Sequence, residues 1–453
     1  MYAFITISNV GSDAGPFNLY SDVDGFVSAF ETDITTAQLE AGFFTDNVPD
    51  GTLEIRIQNA NELCGTFKVV GTTPLLYYFI ASNSQPDDRF TADFVDKGTY
   101  AFVYGAFKGY WNGSYEVPGN HLVKLNTDLS VETSFDILEG FNDHIIYIGA
   151  RLVEISDGSV LLVGWLTSFN GENFNRIIKL NPDGTVNEVF NIGTGFNNYT
   201  TAISETTDGK YYIGGIYSAY NGVPRNRIIR LLNNGSIDIA FNIGTGFNNS
   251  TLSIITNFDN SLYVSGYFSV YNGNNAPGII KLKPDGSVDT SFNPGVGFQP
   301  RRTYAGVLMD RIPGEEKIVC ISYVAYPTAP STYQGVDYGN IVKLNEDGSV
   351  DAEFAANSGT GFNGNPGLIN VVFGNKILIT STAPLFTEYN GTPTNGLVLL
   401  NADGTLLQAF TKSYGWVYTI GNNMYGTDLT DGLNRLIYVF GEGLVTTTTT
   451  TTV

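Results

Sequence analysis

Apolar residues recur along the chain in short runs that Gly, Asn and Asp interrupt, and the parts follow one order in each copy. One apolar run, such as YYIGG at 211–215, precedes an aromatic-Asn-Gly turn such as YNG at 220–222. A second run, such as RIIRL at 227–231, leads into an Asn-Gly or Asp-Gly turn. Runs of this length between residues that accept positive φ are typical of strands joined by tight hairpins. The pattern predicts an all-β chain whose sheets are buried on both faces.

The second run and its turn recur six times, and each copy closes on a Phe. The copies are LNTDLSVETSF (125–135), LNPDGTVNEVF (180–190), LLNNGSIDIAF (231–241), LKPDGSVDTSF (282–292), LNEDGSVDAEF (344–354) and LNADGTLLQAF (400–410). The closing Phe residues are spaced 55, 51, 51, 62 and 56 residues apart. Periods of about 40 to 50 residues are typical of propeller blades, which bury their faces only by stacking against neighbours. We number these copies as repeats one to six.

The two ends of this array each resemble part of a further copy. Residues 74–94 (PLLYYFIASNSQPDDRFTADF) have strand character, and residues 416–443 offer a strand pair. We expect them to form a seventh blade together, because closing the ring removes exposed sheet edges. The 371 residues from 73 to 443 then give 53 residues per blade, which matches the period. Six blades are the alternative if 74–94 belongs elsewhere.

Residues 1–72 do not follow the repeat. FITISNVG (4–11) and TLEIRIQN (52–59) alternate as strands do, and 33–44 can hold a short helix with Thr35 or Thr36 as its N-cap. The chain ends in a polythreonine tail at 446–453, which has nothing to bury by itself. The expected organisation is a small β-rich domain (1–72), a propeller (73–445) and this tail.

Charge excludes two classes of partner. The chain has 23 Lys and Arg against 44 Asp and Glu, a net charge of −21, which repels nucleic acid and anionic membrane surfaces. No run of 18 apolar residues indicates a membrane span, and the N-terminus does not read as a signal peptide. Cys64 and Cys320 are expected to be buried free thiols rather than a disulfide or zinc site.

The residues of the array carry a family resemblance. LKPDGSVDTSFN (282–293), preceded by YNG and GIIKL, resembles the delta-60 repeat, a β-propeller repeat of bacterial and phage proteins. The resemblance covers about residues 98–415. Repeat five departs from it by the insertion YVAYPTAPSTYQG (323–335), and repeat six lacks the Gly pair at STAPLFTEYNG (381–391). It implies the propeller fold and little about chemistry. The first 72 residues are similar to N-terminal modules of phage virion proteins, which implies an attachment module.

Chemical motifs are scarce. His121 and His144 are the only histidines, and His121 is interpreted as a blade surface residue. Because no Ser-His-Asp or Cys-His arrangement can be assembled, the sequence predicts a protein that is not an enzyme and has no metal or cofactor. Most candidate carboxylates occupy the repeated turns, where a structural role is expected. These are Asp183, Asp285, Asp347 and Asp403.

Residues that break the repeat are the better candidates for function. Aromatic and Arg side chains on loops often make binding surfaces, although ordinary packing is the alternative. The candidate binding surface comprises Trp111, Trp165, Arg301, Arg302, Tyr326, Tyr333 and Trp416.

The function expected from these observations is that of a phage virion structural protein, a tail, collar or fibre component. Its propeller would serve as a binding or assembly platform within a homo-oligomeric assembly. Residues 1–72 would contact other virion proteins, and loops would contact a host surface glycan or protein. A secreted bacterial adhesin or glycan-binding propeller, located outside the cell or on its surface, is the alternative. A polysaccharide-degrading enzyme is the third hypothesis.

Overall fold

The structure is a computed structural model of the 453-residue chain. It describes residues 3–5, 16–41, 43–45, 49, 54–60, 67–71, 77–81, 92–105, 107–112, 116–118, 121–127, 130–141, 151–299, 305–324, 332–381, 386–410, 417–420, 423–428 and 435–441. The expectations for Cys64, His144 and the polythreonine tail lie outside these residues.

Residues before the array form two small antiparallel sheets and a short helix. Their elements are β1 (Ala3–Ile5), β2 (Phe17–Ser21), a 3-10 helix (Asp22–Asp24), β3 (Ala29–Ile34), α1 (Thr36–Ala41), β4 (Phe43–Thr45), β5 (Glu54–Asn59) and β6 (Phe67–Gly71). Strand β1 pairs with β4, and the other strands form a sheet in the order β3-β2-β5-β6. Alternate residues of β2 and β5 are buried, as expected for strands with one covered face.

The short helix begins where the sequence predicts it. Thr35 Oγ1 accepts a hydrogen bond from the backbone N–H of Gln38 at 3.2 Å. Gln38 Oε1 accepts one in return from the backbone N–H of Thr35 at 2.8 Å. This reciprocal pair is a capping box, which satisfies two backbone donors that the helix leaves open. Thr35 is therefore the N-cap.

Nearly all of the regular elements in the described array are antiparallel strands. The first part contains β7 (Tyr77–Ala81), β8 (Ala92–Asp96), β9 (Tyr100–Gly105), β10 (Phe107–Asn112), β11 (Glu116–Pro118), β12 (Leu122–Asn126), β13 (Arg151–Glu154), β14 (Val160–Val163), β15 (Ser168–Phe169), β16 (Glu172–Asn173), β17 (Ile177–Leu180), β18 (Thr200–Glu205), β19 (Tyr211–Gly215), β20 (Ala219–Tyr220), β21 (Val223–Pro224) and β22 (Ile228–Leu231). The middle part contains β23 (Thr251–Thr256), β24 (Leu262–Gly266), β25 (Val270–Tyr271), β26 (Asn274–Asn275), β27 (Ile279–Leu282), β28 (Phe298–Gln299), β29 (Ala305–Asp310), β30 (Ile318–Val324), β31 (Thr332–Tyr333), β32 (Val336–Asp337) and β33 (Ile341–Leu344). The last part contains α2 (Ala352–Ser358), β34 (Pro366–Val372), a 3-10 helix (Phe373–Asn375), β35 (Lys376–Ser381), β36 (Glu388–Tyr389), β37 (Thr392–Pro393), β38 (Leu397–Leu400), β39 (Leu406–Ala409), β40 (Val417–Ile420), β41 (Asn423–Asp428) and β42 (Arg435–Gly441).

Each repeat folds into one antiparallel sheet with a first, a second and a third strand in that order. The sheets of repeats one to five are β8-β9-β12, β13-β14-β17, β18-β19-β22, β23-β24-β27 and β29-β30-β33, and repeat six adds a strand in β34-β35-β38-β39. The aromatic-Asn-Gly turn closes a small hairpin in several repeats, such as β20-β21 and β25-β26. The first strands contact one another in sequence from β8 through β13, β18, β23 and β29 to β34, and β40 contacts β8. The sheets are therefore arranged as the blades of a β-propeller, with the first strands innermost.

The two ends of the array meet in one sheet. Strands β40, β41 and β42 pair in order, and β7 joins them through the partners Arg435 and Tyr78. Strand β8 pairs with β9 instead. The segment 74–94 is thus divided between two sheets, whereas the sequence-based expectation placed all of it in the closing blade.

The Asp-Gly turn of one repeat is bonded to the segment after the closing Phe of the repeat before it. The backbone N–H of Asp136 donates to the carbonyl of Asp183 at 2.9 Å, and that of Asn242 donates to Asp285 at 2.9 Å. Gly184 in the turn has φ +90°, and a Cβ there would lie 2.5 Å from the carbonyl oxygen of Asp136. Gly is required at this turn because backbones approach closely, in addition to the left-handed φ.

The Val-x-x-x-Phe segment, for which the sequence left strand and turn open, varies between repeats. In repeats one to five the Val, or Ile237 in repeat three, makes an isolated bridge to the last Leu of the third strand, as Val186 does to Leu180. In repeat five the bridge is followed by α2, which Asp351 caps by accepting a hydrogen bond from the N–H of Phe354 at 3.0 Å. Repeat six forms β39. No helix in the described part of the chain is long and apolar enough to cross a membrane.

Candidate functional site

A cation on the third strand recurs between the blades. It is Lys124, Lys179, Arg230, Lys281 or Lys343 in repeats one to five, and Leu399 takes its place in repeat six. Arg230 is 5% exposed; its Nε lies 2.8 Å from Asp238 Oδ2 and its Nη1 donates to the Tyr212 hydroxyl at 2.9 Å. Nη1 also donates to the carbonyl of Pro284, which belongs to the next repeat. The ion pair with Asp238 lies within repeat three, and the bond to Pro284 joins it to the next blade, so this cation is structural.

The repeated turn carboxylates are structural as well, as the sequence predicts. Asp183 Oδ1 accepts hydrogen bonds from the hydroxyl and the backbone N–H of Thr185 at 2.7 and 3.0 Å. These bonds hold the pKa of the exposed Asp183 below its ordinary value. Asp285, Asp347 and Asp403 make the same bonds to the Ser or Thr two residues later. A functional site should therefore be sought where the repeats differ.

One cavity lies where the first strands of five repeats converge. Its volume is ≈ 170 Å³, and β13, β18, β23, β29 and β34 all contribute lining residues. Strands from repeats two and six line the same space, although they are not neighbours along the chain. The cavity therefore lies in the central channel of the propeller, and we call it the channel cavity.

The channel cavity has single-copy polar residues at a position that can be defined in every repeat. We call it the channel position. It lies on the first strand, opposite the residue of the second strand that is itself opposite the third-strand cation. It is occupied by Val95, Val153, Ser204, Ile255, Asp310 and Asn370 in repeats one to six. Repeats five and six therefore place a carboxylate and an amide where the other repeats have apolar residues or a Ser.

Asp310 is held in place by the backbone of its own strand and of the next blade. Its Oδ1 accepts from the N–H of Arg311 at 2.8 Å, and its Oδ2 accepts from the N–H of Val371 at 2.6 Å. Desolvation raises the pKa of Asp310 from its ordinary 3.8 to about 6, although these two bonds and the charges of Arg151 and Arg311 oppose the rise. A carboxylate with this pKa can accept hydrogen bonds at neutral pH and still bind a proton in mild acid.

Asn370 follows Asp310 around the channel. Its Nδ2 is buried and finds no acceptor among the described residues. A buried donor left without a partner costs about 1–3 kcal/mol, so an amide at this position calls for an explanation. Arg151 also lines the cavity and contributes a positive charge near Asp310.

A larger acidic groove lies between repeats five and six. Its volume is ≈ 550 Å³, and it is lined by Glu315, Glu316, Lys317, Lys343, Glu346, Asp351, Glu353, Phe354, Ala402 and Asp403. Lys343 Nζ lies 2.6 Å from Glu315 Oε2, and Lys317 Nζ lies 2.6 Å from Asp351 Oδ2. Among the residues that the structure describes, no group of three or more His, Cys, Asp or Glu could hold a metal ion. The groove therefore presents a negative surface whose two lysines are already paired.

The candidate binding surface expected from the sequence is only partly described. Trp165 is partly buried, and its ring stacks on Tyr199 with centroids 3.7 Å apart, while the Arg176 guanidinium lies 5.1 Å from the Trp165 ring centroid. Trp111 lies in β10, opposite Glu116 of β11. Arg301, Arg302, Tyr326 and Trp416 lie outside the described residues.

Two expectations about single residues are wrong. Tyr333 is 2% exposed and its hydroxyl donates to the carbonyl of Gly348 at 2.6 Å, so it is a structural residue of the repeat. Tyr220, Tyr271 and Tyr389 make the same bond to the Gly 15 residues later. His121 is 6% exposed rather than a surface residue, because its backbone at φ 73° directs the ring inward, where Nδ1 lies 2.8 Å from the carbonyl oxygen of Gly105. Cys320 is buried, as expected, and burial raises its thiol pKa.

The sequence pattern did not single out Asp310 and Asn370, because both lie within apolar strands. Each breaks the pattern by one residue, and neither belongs to a recognisable motif. Aligning the first strands of the repeats would have exposed the substitution at the channel position. That alignment requires the strand register, since the hairpin before β30 is longer than the others.

Five segments of the chain match a known family. They are residues 155–190, 206–241, 259–292, 329–354 and 376–406, and the matching model is a domain of unknown function (DUF5122) described as a β-propeller. The chain carries β-propeller repeats. The match agrees with the blades described above and covers repeats two to six in part.

Comparisons with individual proteins add no argument about function. No curated protein matches this sequence. Similar solved structures include a protein of unknown function from Bacteroides caccae, with 11% identity over 66% of this chain and 89% of that chain, at a TM-score of 0.29. A gluconolactonase from Xanthomonas campestris shows 13% identity over 66% and 95%, also at 0.29. YCF48 from Cyanidioschyzon merolae shows 10% identity over 81% and 96%, at 0.28.

Proposed function

We propose that this chain is a structural component of a phage particle, in its tail, collar or fibre, and that a propeller of seven blades is its binding or assembly platform. The observation that supports the platform role is a difference between the charged residues that recur in the repeats and those that do not. Charged residues that recur, such as Arg230, are buried in contacts between blades. The channel cavity and the acidic groove add charged residues that do not recur, such as Asp310, Glu316 and Glu353.

Seven blades are supported by the contacts between first strands. Strands β8, β13, β18, β23, β29 and β34 contact one another in turn, and β40 contacts β8. With β40, this makes seven first strands. A closed propeller leaves only short, protected sheet edges, so such a platform can be present in many copies without aggregating through its strands.

The acidic groove is the surface that we propose for assembly. Glu316 and Glu353 line it and are exposed. A net charge of −21 keeps such chains apart, so a neighbouring protein must offer a basic surface. Residues 1–72, which resemble virion attachment modules, would bind the particle at another place.

The proposal is tested on purified particles from the source of this sequence. Mass spectrometry of the particle should detect the chain in a stoichiometric amount, and its absence from the particle would refute the virion role. A particle assembled with Glu316→Lys and Glu353→Lys should then contain less of the chain. Glu188→Lys is the matched control, because Glu188 is equally exposed on a regular repeat.

The alternative of a secreted adhesin is favoured by one observation. Trp165, Tyr199 and Arg176 form a stacked cluster, and aromatic rings of this kind often bind sugars and other flat apolar faces. Binding of the purified chain to a glycan array, lost in Trp165→Ala, would support the adhesin. Cleavage of a capsular or cell-wall glycan would instead support the third hypothesis, a polysaccharide-degrading enzyme.

A further inference from the structure

The channel cavity brings together the Asp310 carboxylate, which bonds to the next blade, and the buried Asn370 amide. Asp310 and Asn370 occupy the channel position in adjacent blades, and the N–H of Val371, next to Asn370, donates to Asp310 Oδ2 at 2.6 Å. Asn370 Nδ2 is buried without an acceptor among the described residues. The sheet would be satisfied by apolar residues here, since Val153 and Ile255 occupy the same position in other repeats.

This wall of the cavity can both accept and donate hydrogen bonds. A carboxylate offers about four acceptor sites, and the backbone donors of Arg311 and Val371 use two of those of Asp310. The wall therefore still accepts hydrogen bonds through Asp310 and donates them through Asn370. A ligand that satisfies both must carry donors and acceptors close together, as a hydroxyl group does.

The charge of the site favours a neutral ligand. Arg151 lines the same cavity and acts on Asp310 as an opposite charge. An anion would have to approach Asp310, and a cation would have to approach Arg151, and each would be repelled. A neutral molecule meets neither repulsion.

The cavity is small, and Ser253 adds a further polar group to its walls. Its other walls include Leu252, Leu308, Met309 and Leu368. Its ≈ 170 Å³ is less than the roughly 300 Å³ at which pockets for drug-sized molecules begin. The ligand must therefore be small, with apolar C–H faces beside its polar edge.

We propose that the channel cavity binds a neutral polyhydroxy compound of about the size of one monosaccharide. Asp310 accepts hydrogen bonds from two of its hydroxyl groups, and Asn370 donates one from Nδ2. The aliphatic side chains of β23, β29 and β34 contact its C–H faces. This inference does not depend on the proposed role in a phage particle, which particle composition tests separately.

The test is calorimetric titration of the full chain with separate probes. The probes are neutral monosaccharides (glucose, galactose, mannose and N-acetylglucosamine), glucuronate, inorganic phosphate and methylammonium. We expect saturable 1:1 binding of at least one neutral sugar and weaker or no binding of the charged probes. Absence of saturable binding by every neutral sugar, or tighter binding of a charged probe, would overturn the proposal.

Variants assign the binding to the cavity. Asn370→Leu and Asp310→Asn should each weaken sugar binding by at least tenfold. Ser204→Ala is the matched control, because Ser204 is at the channel position but does not line the cavity, and it should leave affinity within twofold. Asn370→Leu removes an unpaired donor and should unfold at a temperature no lower than the parent chain. If it does not fold, Asp310→Asn decides, and unchanged affinity in a folded variant would refute the site.

Discussion

Repeats three and six show what the copies share and where they separate. In repeat three, Arg230 lies opposite Tyr212, and Tyr212 lies opposite Ser204 at the channel position. In repeat six, the corresponding residues are Leu399, Leu378 and Asn370. In repeat three the large polar side chain is that of Arg230 on the third strand, whereas in repeat six it is that of Asn370 at the channel position. Arg230 of repeat three bonds to the next blade, whereas Asn370 of repeat six lines the channel cavity with a buried donor that has no acceptor among the described residues.

We expect the largest loss of stability when the third-strand cation is replaced. Arg230→Met removes the nearer of the two cations that pair with the buried Asp238, leaving Lys210 Nζ at 3.2 Å, and also removes the donor to the carbonyl of Pro284. It should lower the free energy of unfolding by about 3–5 kcal/mol. Arg230→Lys should lower the free energy of unfolding by less, because Lys179 and Lys281 occupy the same position in repeats two and four. In repeat six, Leu399→Met should cost less than about 1.5 kcal/mol. Urea unfolding of the three variants measures this order, and equal losses for Arg230→Met and Leu399→Met would contradict the structural role.

Replacing a turn glycine should give the second-largest loss of stability. Gly184→Ala should lower the free energy of unfolding by roughly 3 kcal/mol, because the new Cβ meets the backbone of Asp136 and the left-handed φ is strained. Gly209→Ala is the control: its φ is also positive at +74°, but a Cβ there has nothing within 4 Å. It should cost only the strain of about 1–2 kcal/mol. Thermal unfolding separates the two, and an equal loss would mean that the contact between repeats is unimportant.

The tyrosine of the aromatic-Asn-Gly turn should contribute less. Tyr271→Phe removes the hydroxyl that donates to the carbonyl of Gly286 at 2.7 Å and should cost about 1 kcal/mol. Phe169 occupies this position in repeat two, so the repeat folds without the bond. Tyr199→Phe is the control, because no hydrogen bond of the Tyr199 hydroxyl occurs among the described residues. Denaturation midpoints should fall for the first variant only.

The smallest effect concerns pH and has opposite signs in the two kinds of site. Because the pKa of Asp310 is raised in the folded chain to about 6, its stabilising contribution is complete below its ordinary pKa of 3.8 and is lost as pH rises through about 6. The stability difference between the parent chain and Asp310→Asn should therefore fall by on the order of 1 kcal/mol between about pH 4 and pH 7. The pKa of Asp183 is lowered, so its contribution is present above its ordinary value and is lost as pH falls. Unfolding at several pH values for Asp310→Asn and Asp183→Asn measures both slopes, and slopes of the same sign would refute the assignment.

Local pattern was sufficient for the repeat, the turn chemistry and the helix cap. Asn-Gly and Asp-Gly turns, the apolar runs between them and the Thr35 cap depend on residues close in sequence, so they could be predicted. The same reasoning was wrong for His121 and Tyr333. Their burial depends on a left-handed backbone position and on a carbonyl 15 residues away, which no local pattern encodes.

Periodicity and turn residues act over a few positions, so they were enough to predict a chain built from repeated short strands. The tertiary structure alone decided which residues face the channel. Asp310 and Asn370 are 60 positions apart in the chain. They become neighbours only because strand register and blade stacking place two first strands side by side, and that proximity depends on contacts distributed over the whole ring.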